Sequence, residues 1–418
     1  MTHWFRYASL FLVVSLPAGT LLSQDGFYLK DGDRVVFYGD SITEQRLYTT
    51  FVESYVLTRF PRLRVGFVHS GVGGDRVTGG WAGDVDLRLN RDVFAYKPTV
   101  MTIMLGMNDG SYRAFDEGIF NTYKTGYRHI VDSVEARLPG IRLTLIQPSP
   151  FDDVTRPPEF EGGYNSVLVR YGLLVKEIAE KEKQTTADLN TPVVSTLVKA
   201  KAANAELAKQ IIEDRVHPGP AGHLAMAAAL LKSWNAPSVV TEVEIDASKM
   251  KVAGQANTAV KDLRGAASLE WSQLDAALPM PLDLKDEVML LVLRSSDFLE
   301  TLDRQILKVT GLGGSRYQLD IDGMDLGTLT KEQLAGGVNL AELPTPMLKQ
   351  ALEVHDFTLK HNSIHAARWQ ELQVGLANKP LPHLQAALDA LEGLESELVA
   401  GQQAAAQPAV RHYKLTEK

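Results

Sequence analysis

Four short segments of the chain carry the residue types that acyl transfer needs. Gly39-Asp40-Ser41 closes the apolar run "VVFYG", and Ser41 is a weak nucleophile until a base takes its proton. His217 in "DRVHPGPAGH" can be that base, because an imidazole titrates near neutrality. Asp214 stands three residues earlier, a spacing that on a turn lets its carboxylate hold the imidazole N–H and fix the tautomer. Pro218, Gly219 and Pro220 keep His217 out of the helix that follows. A tetrahedral intermediate also needs hydrogen-bond donors for its oxyanion. Gly74 in "GVGGD" can offer an unobstructed backbone N–H, Asn108 in "GMNDG" a side-chain amide, and Ser41 its own N–H.

These segments do chemistry together only if something gathers them. Between residues 33 and 237, runs rich in β-branched residues ("RVVFYG", "RVGFVHSG", "TVMTIMLG", "IRLTLIQ") alternate with helical patterns. The spacing predicts helices over about 48–60, 84–95, 115–137, 164–183 and 220–234. Continuous apolar runs are strands buried on both faces, and their alternation with helices predicts a parallel sheet between helical layers. Ligands of such sheets sit beyond the carboxyl ends of the strands. Ser41, Gly74 and Asn108 all follow strand ends, and His217 precedes the last helix of the alternation.

In kind and order the four blocks resemble those of the SGNH hydrolases, the GDSL-type esterases and lipases. "GDSI" at Gly39–Ile42 differs from the commoner GDSL only at Ile42, which touches no chemistry. "GVGGD" at Gly71–Asp75, "GMND" at Gly106–Asp109 and "DRVHP" at Asp214–Pro218 supply the others. The resemblance spans about half the chain. It implies a flavodoxin-like α/β/α sandwich and a serine ester hydrolase that needs no metal or cofactor. In that scheme Ser41 is the nucleophile, His217 the base and Asp214 its orienting acid. Gly74, rather than Gly73, and Asn108 are the oxyanion donors.

The rest of the chain bounds the substrate. A net charge of −8 over 418 residues excludes the basic field that nucleic acid requires. The lack of cysteine excludes disulfides, thiolate chemistry and cysteine-borne lipid. Residues 1–23, with Arg6 ahead of an apolar stretch broken by Pro17, have the layout of a secretory signal peptide, so export is expected and no membrane span remains after processing. Asp40, Arg76, Trp81, Asp153 and Arg156 lie on or beside the expected rim and are candidates to contact a polar small-molecule or glycan ester. Asp188 and His223 read as structural residues. His355, His361 and His365 recur at helical spacings, but no carboxylate pattern in the sequence argues that they bind a metal.

Residues 24–237 are thus expected to form the hydrolase domain and 240–399 an accessory module of strands followed by helices. That module resembles a sandwich whose helices pack back on the first domain. Residues 400–418, Gln- and Ala-rich at their start, are expected to be a disordered tail. The expected activity is a short-chain acetylesterase acting on carbohydrate. A lipase or lysophospholipase, an O-acyltransferase and a non-catalytic glycan-binding protein are the alternatives.

Overall fold

A computed structural model of the chain describes residues 26–265, 268–377, 379 and 381–418. The expected signal peptide lies outside them. Five strands, β1 (Arg34–Gly39), β2 (Gly66–Gly71), β3 (Val100–Met104), β4 (Arg142–Gln147) and β5 (Thr185–Asp188), form one sheet in the order β2-β1-β3-β4-β5. Every pairing in it is parallel. Strands β1 to β4 are buried along almost their whole length, as their unbroken apolar runs require, whereas the edge strand β5 is buried only at Ala187. Helices α1 (Ser41–Glu44), α2 (Leu47–Arg59), α3 (Val85–Asp92), α4 (Glu117–Arg137), α5 (Gly163–Glu182), α6 (Asn190–Ala203) and α7 (Pro220–Ser233) flank it. This is the expected flavodoxin-like arrangement, and the longer predicted helices lie within a few residues of the observed ones.

Helix α2 departs from an ordinary outer-layer helix. It is buried on all sides, Glu53 and Arg59 included. A helix so enclosed must have protein on its outer face, and the C-terminal half supplies it. There β6 (Val239–Asp246), β7 (Lys251–Ala256), β8 (Thr258–Gly265) and β9 (Ser268–Asp275) are followed by α8 (Glu287–Ser295). After α8 come β10 (Arg304–Thr310), β11 (Arg316–Ile321) and β12 (Met324–Thr330). Helices α9 (Pro346–Ala366) and α10 (Leu384–Ala405) precede β13 (Val410–Glu417). One sheet runs β8-β9-β13-β11-β12; in the other, β10 pairs with β6 and β6 with β7. Val243, Ile245, Leu307 and Val309 of one sheet share a core with Trp271, Leu319, Tyr413 and Leu415 of the other. Met347, Ala351 and Val354 of α9 close that core, so the sandwich and its helix are continuous.

Two expectations about this half need correcting. Residues 400–418 are not a disordered tail: α10 continues through Ala405, and β13 is the central strand of a five-stranded sheet, hydrogen-bonded to β9 and β11. Polar composition hid an inward-facing pair, Tyr413 and Leu415, that becomes apolar surface only when the two neighbouring strands are present. Nor does the first core end at residue 237. Met280, Leu282, Met289, Val292, Phe298 and Leu302, from the second half of the sequence, belong to the same apolar cluster as the parallel sheet.

Leu415 is fully buried while Val410, on the same strand, is half exposed. Leu415→Ala is therefore expected to cost about 2–5 kcal/mol, read as a fall in the urea midpoint. Val410→Ala should stay within about 0.5 kcal/mol. Equal, small effects would show that β13 is not part of the core.

Candidate active site

The sheet register brings the strand ends level. Gly39 is opposite Gly71 of β2 and opposite Met104 of β3. The loops after β1, β2 and β3 therefore leave the same rim, on either side of the point where the strand order reverses. Gly39 is needed there for room: a Cβ would fall 2.7 Å from the Met104 carbonyl oxygen and also strike the Thr43 side chain. The turn itself is made by Asp40. Its carboxylate caps α1, accepting the Ile42 N–H at 3.0 Å, so Ser41 is the first residue of that helix and half-buried.

His217 arrives from the far end of the domain. Its Nε2 lies 2.8 Å from Ser41 Oγ, and its Nδ1 2.6 Å from Asp214 Oδ2. The other Asp214 oxygen accepts the backbone N–H groups of Val216 (2.9 Å) and His217 (2.7 Å). Partial burial works against the Asp214 charge, but these N–H donors and the imidazole outweigh it and hold the carboxyl below its usual range. The turn needs Arg215 in the left-handed region, at φ 73°. Arg215 is held there by its own side chain, which donates to the Asp152 carbonyl (3.1 Å), the Asp153 carboxylate (2.7 Å) and the Pro157 carbonyl (3.0 Å).

Asn108 and Gly74 are also linked. The Asn108 amide donates to the carbonyl of Asp75 at 3.0 Å, fixing the two loops to one another. Gly74 has φ 75° and nothing within 4 Å of where a Cβ would stand, so its conformation, rather than crowding, demands glycine. The Asp109 carboxylate accepts the Val77 N–H at 2.9 Å and fastens the same two loops a second time. The Tyr112 hydroxyl donates to Asn108 Oδ1 at 3.0 Å, so the amide is held at both ends, and the second N–H of its nitrogen is the one not given to Asp75. Ser111 and Tyr112 both take positive φ, 57° and 53°, to bring that hydroxyl round. Sequence reading missed Tyr112 and Arg215, since neither type is unusual at a turn; only the backbone marks them.

The remaining sequence candidates divide. Arg76 is exposed on the glycine loop, and Trp81, 63% exposed, tips a short hairpin formed by Gly79–Gly80 and Gly83–Asp84. Both face solvent. Asp40 is buried as a helix cap. Asp153 is occupied by Arg215 and by the Asn165 N–H, and Arg156 by Asp152 and the carbonyls of Lys209, Ile212 and Glu213. These last two brace the loop that carries Asp214 and His217 instead of presenting free polar atoms to a ligand. His223 is a neutral structural histidine: burial pushes it down to about 3, Nδ1 accepts the Tyr48 N–H, and Nε2 lies 2.8 Å from Gln45 Oε1. Among the described residues no cluster of three or more His, Asp or Glu side chains is arranged to hold a metal ion.

Buried acids underlie the site. Burial raises the Asp40 carboxyl to about 7, with the nearby Asp109 and Asp75 charges adding to it, and burial raises Asp109 to about 7 as well. Unfolded, such groups titrate near about 4. The folded chain thus holds protons that the unfolded chain releases, a contribution present below about pH 4 and lost as pH rises through about 7. An asparagine cap has no proton to lose. The stability difference between Asp40→Asn and the native protein should therefore move in the variant's favour from pH 4 to pH 8 in urea titrations. A pH-independent difference would contradict the raised carboxyl. Tyr112→Phe is expected to lower kcat on an aryl acetate roughly 3- to 10-fold by freeing the Asn108 amide to rotate, with KM little changed; unchanged kcat would remove Tyr112 from the site.

Residues 37–225 match the GDSL-like lipase/acylhydrolase family, a span that includes all four blocks. The acetylxylan esterase of Geobacillus stearothermophilus is 28% identical over 227 residues, covering 48% of this chain and 93% of that protein. A solved structure of an acetylxylan esterase from the same organism covers 50% of this chain and 96% of its own, at 24% identity and a TM-score of 0.39. The structure of a gut microbial diltiazem-metabolizing enzyme aligns over 93% of this chain and 98% of its own, at 25% identity and a TM-score of 0.81. That second alignment takes in the C-terminal half as well as the sheet. Residues 37–225 belong to the GDSL-like lipase/acylhydrolases of the SGNH superfamily, and the protein is a carboxylic ester hydrolase.

Proposed function

We propose that this protein is an exported serine esterase that removes short acyl groups, acetyl above all, through an acyl-serine intermediate. The observation that carries the reading is the unbroken Ser41–His217–Asp214 contact, 2.8 Å and 2.6 Å long. Ser41 Oγ attacks the ester carbonyl carbon as its proton passes to His217 Nε2. Asp214 holds Nδ1–H and stabilises the imidazolium. The carbonyl oxygen, now negative, takes hydrogen bonds from the Gly74 and Ser41 backbone N–H groups and the Asn108 amide. The tetrahedral adduct collapses, the ester C–O bond breaks, and the alcohol leaves with the proton from His217. Water then gives its proton to His217 and attacks the acyl carbon. Ser41 departs, regaining its proton, and the free acid is released.

The acetylxylan esterase relative supports an acetyl group on a carbohydrate as the substrate class. A second class is favoured by the enzyme that shares nearly the whole architecture, which is described as metabolizing a drug: a small-molecule ester of non-sugar type. Exposed Arg76 and Trp81 suit either, offering a charge and a flat ring on segments that follow the glycine loop. Export rests on the leader-like residues 1–23.

The test is turnover of p-nitrophenyl esters of two to twelve carbons by native protein and by Ser41→Ala. Native activity should peak at acetate, and Ser41→Ala should fall roughly 10⁴-fold or more. A peak at long chains would make it a lipase, and equal rates for the two proteins would overturn the nucleophile. Acetylated xylo-oligosaccharides assayed beside diltiazem then divide the two substrate classes, and product analysis with an acceptor sugar reveals any transfer.

A further inference from the structure

Helix α9 does not stop cleanly. Its last turn runs into a wider, π-type stretch, Ala367–Val374, beside the oxyanion loop. Trp369 on that stretch is 2% exposed and packs with Val72 and Ala82, which stand on either side of Gly73 and Gly74 in sequence. Its indole N–H donates to Asp92 Oδ1 at 2.6 Å. Asp92 accepts from Arg88 and Arg91. Arg88, fully buried, passes 2.8 Å bonds to the Asp75 carboxylate and the Ser70 carbonyl, and its guanidinium lies 5.8 Å from the centre of the Trp369 ring. Asp75 is the residue after Gly74, and its carbonyl accepts the Asn108 amide. The neighbouring Gln370 donates to Glu44, on the helix that Ser41 begins.

An unbroken run of buried contacts thus leads from the C-terminal half to both proposed oxyanion donors. We propose that Trp369 is a positioning residue for the oxyanion side of the site, and that the C-terminal half serves the esterase by delivering it. The inference rests on the reading of Gly74 and Asn108 as oxyanion donors. Trp369 touches no substrate in this scheme. It holds the Asp92–Arg88–Asp75 series in one arrangement and fills the space behind Val72, so the loop cannot relax away from the developing charge. Donors of this kind act only when fixed before the reaction, and small misplacements are costly.

Trp369→Phe keeps the ring and removes the indole donor, whereas Trp369→Ala removes both. On p-nitrophenyl acetate, kcat should fall roughly 5- to 20-fold for the phenylalanine variant and about 10²-fold for the alanine variant, with KM within about twofold. The inhibition constant of phenylboronic acid, whose tetrahedral Ser41 adduct uses the same donors, should rise in step with the loss in kcat. The pH dependence of kcat should keep its native shape, because His217 is untouched. Native kcat in Trp369→Phe would overturn the proposal. So would a change confined to KM, or boronate inhibition as strong as in the native protein. Should Trp369→Ala fail to fold, the phenylalanine variant decides alone. Failure of the esterase reading shows separately, as Ser41→Ala turning over the ester at the native rate.

Discussion

Parallel pairing with the strand ends level is the constraint on which the rest of the molecule depends. Because Gly39, Gly71 and Met104 are in register, three loops from distant parts of the sequence start at one height. Each loop then has only a few residues in which to place its functional group. Asp40 uses two of them to start a helix at Ser41. The glycine loop reaches Gly74 three residues past β2, and the third loop reaches Asn108 four residues past β3. A one-residue slip of β1 against either neighbour would carry Ser41 about 3.3 Å along the strand axis, beyond hydrogen-bond reach of a fixed imidazole.

The fourth group has no such anchor. His217 comes from a loop ahead of α7, and a loop ordinarily moves more than a strand end. The structure meets this with two arginines that cross between loops. Arg156 reaches out from the segment after β4 to the carbonyls at 209, 212 and 213, and Arg215 reaches back to that segment from beside Asp214. Arg215 also stacks its guanidinium over Phe151 at 4.7 Å. Each planar guanidinium satisfies several acceptors at once, which a lysine could not do. The acceptors are mostly backbone carbonyls left over where the chain turns, so the same bonds that satisfy the loops also fix the histidine.

How much of this could be read from residue order follows from the range of the interactions. The Ser41–His217–Asp214 contact was legible because few residue types suit such a set, and because Asp214 and His217 are close enough in sequence to interact through one turn. That the loops of Gly74 and Asn108 would meet was legible because each follows the end of a neighbouring strand. The roles of Asp153 and Arg156 were not, because a polar residue on a rim loop looks the same whether it faces a ligand or another loop; only the partner, some 50 to 60 positions away, decides. Residue order alone conceals the cover on α2: Thr49, Thr50, Glu53, Ser54 and Thr58 fall on one side at helical spacing and look like a solvent-facing stripe, yet all five are buried, so the helix is covered on both sides. Strand β13 is concealed in a related way. Its two inward residues carry too little apolar weight to stand out, yet between two partners its backbone is fully used.

The cover on α2 is specified by charge as well as by shape. Glu53, fully enclosed, accepts from His69 of β2, from Asn362 of α9 and from Gln402 of α10, each at 3.2 Å, and Asn362 donates also to Thr50 at 2.9 Å. Burial alone would drive that carboxyl toward its neutral form, but these donors and the nearby His361 hold it below its usual range. A buried carboxylate is stable only while its partners are present, so α9 and α10 can dock on α2 in few ways other than the one that satisfies it. That restriction matters about two turns further on, where α9 has widened and Trp369 meets Asp92. Apolar packing by itself tolerates sliding by a fraction of a residue, and a strut that slides cannot fix a loop. A set of hydrogen bonds to one enclosed carboxylate does not slide. The polar joint at Glu53 therefore gives the helix pair its position, and the position is what the indole transmits to the loop around Gly74.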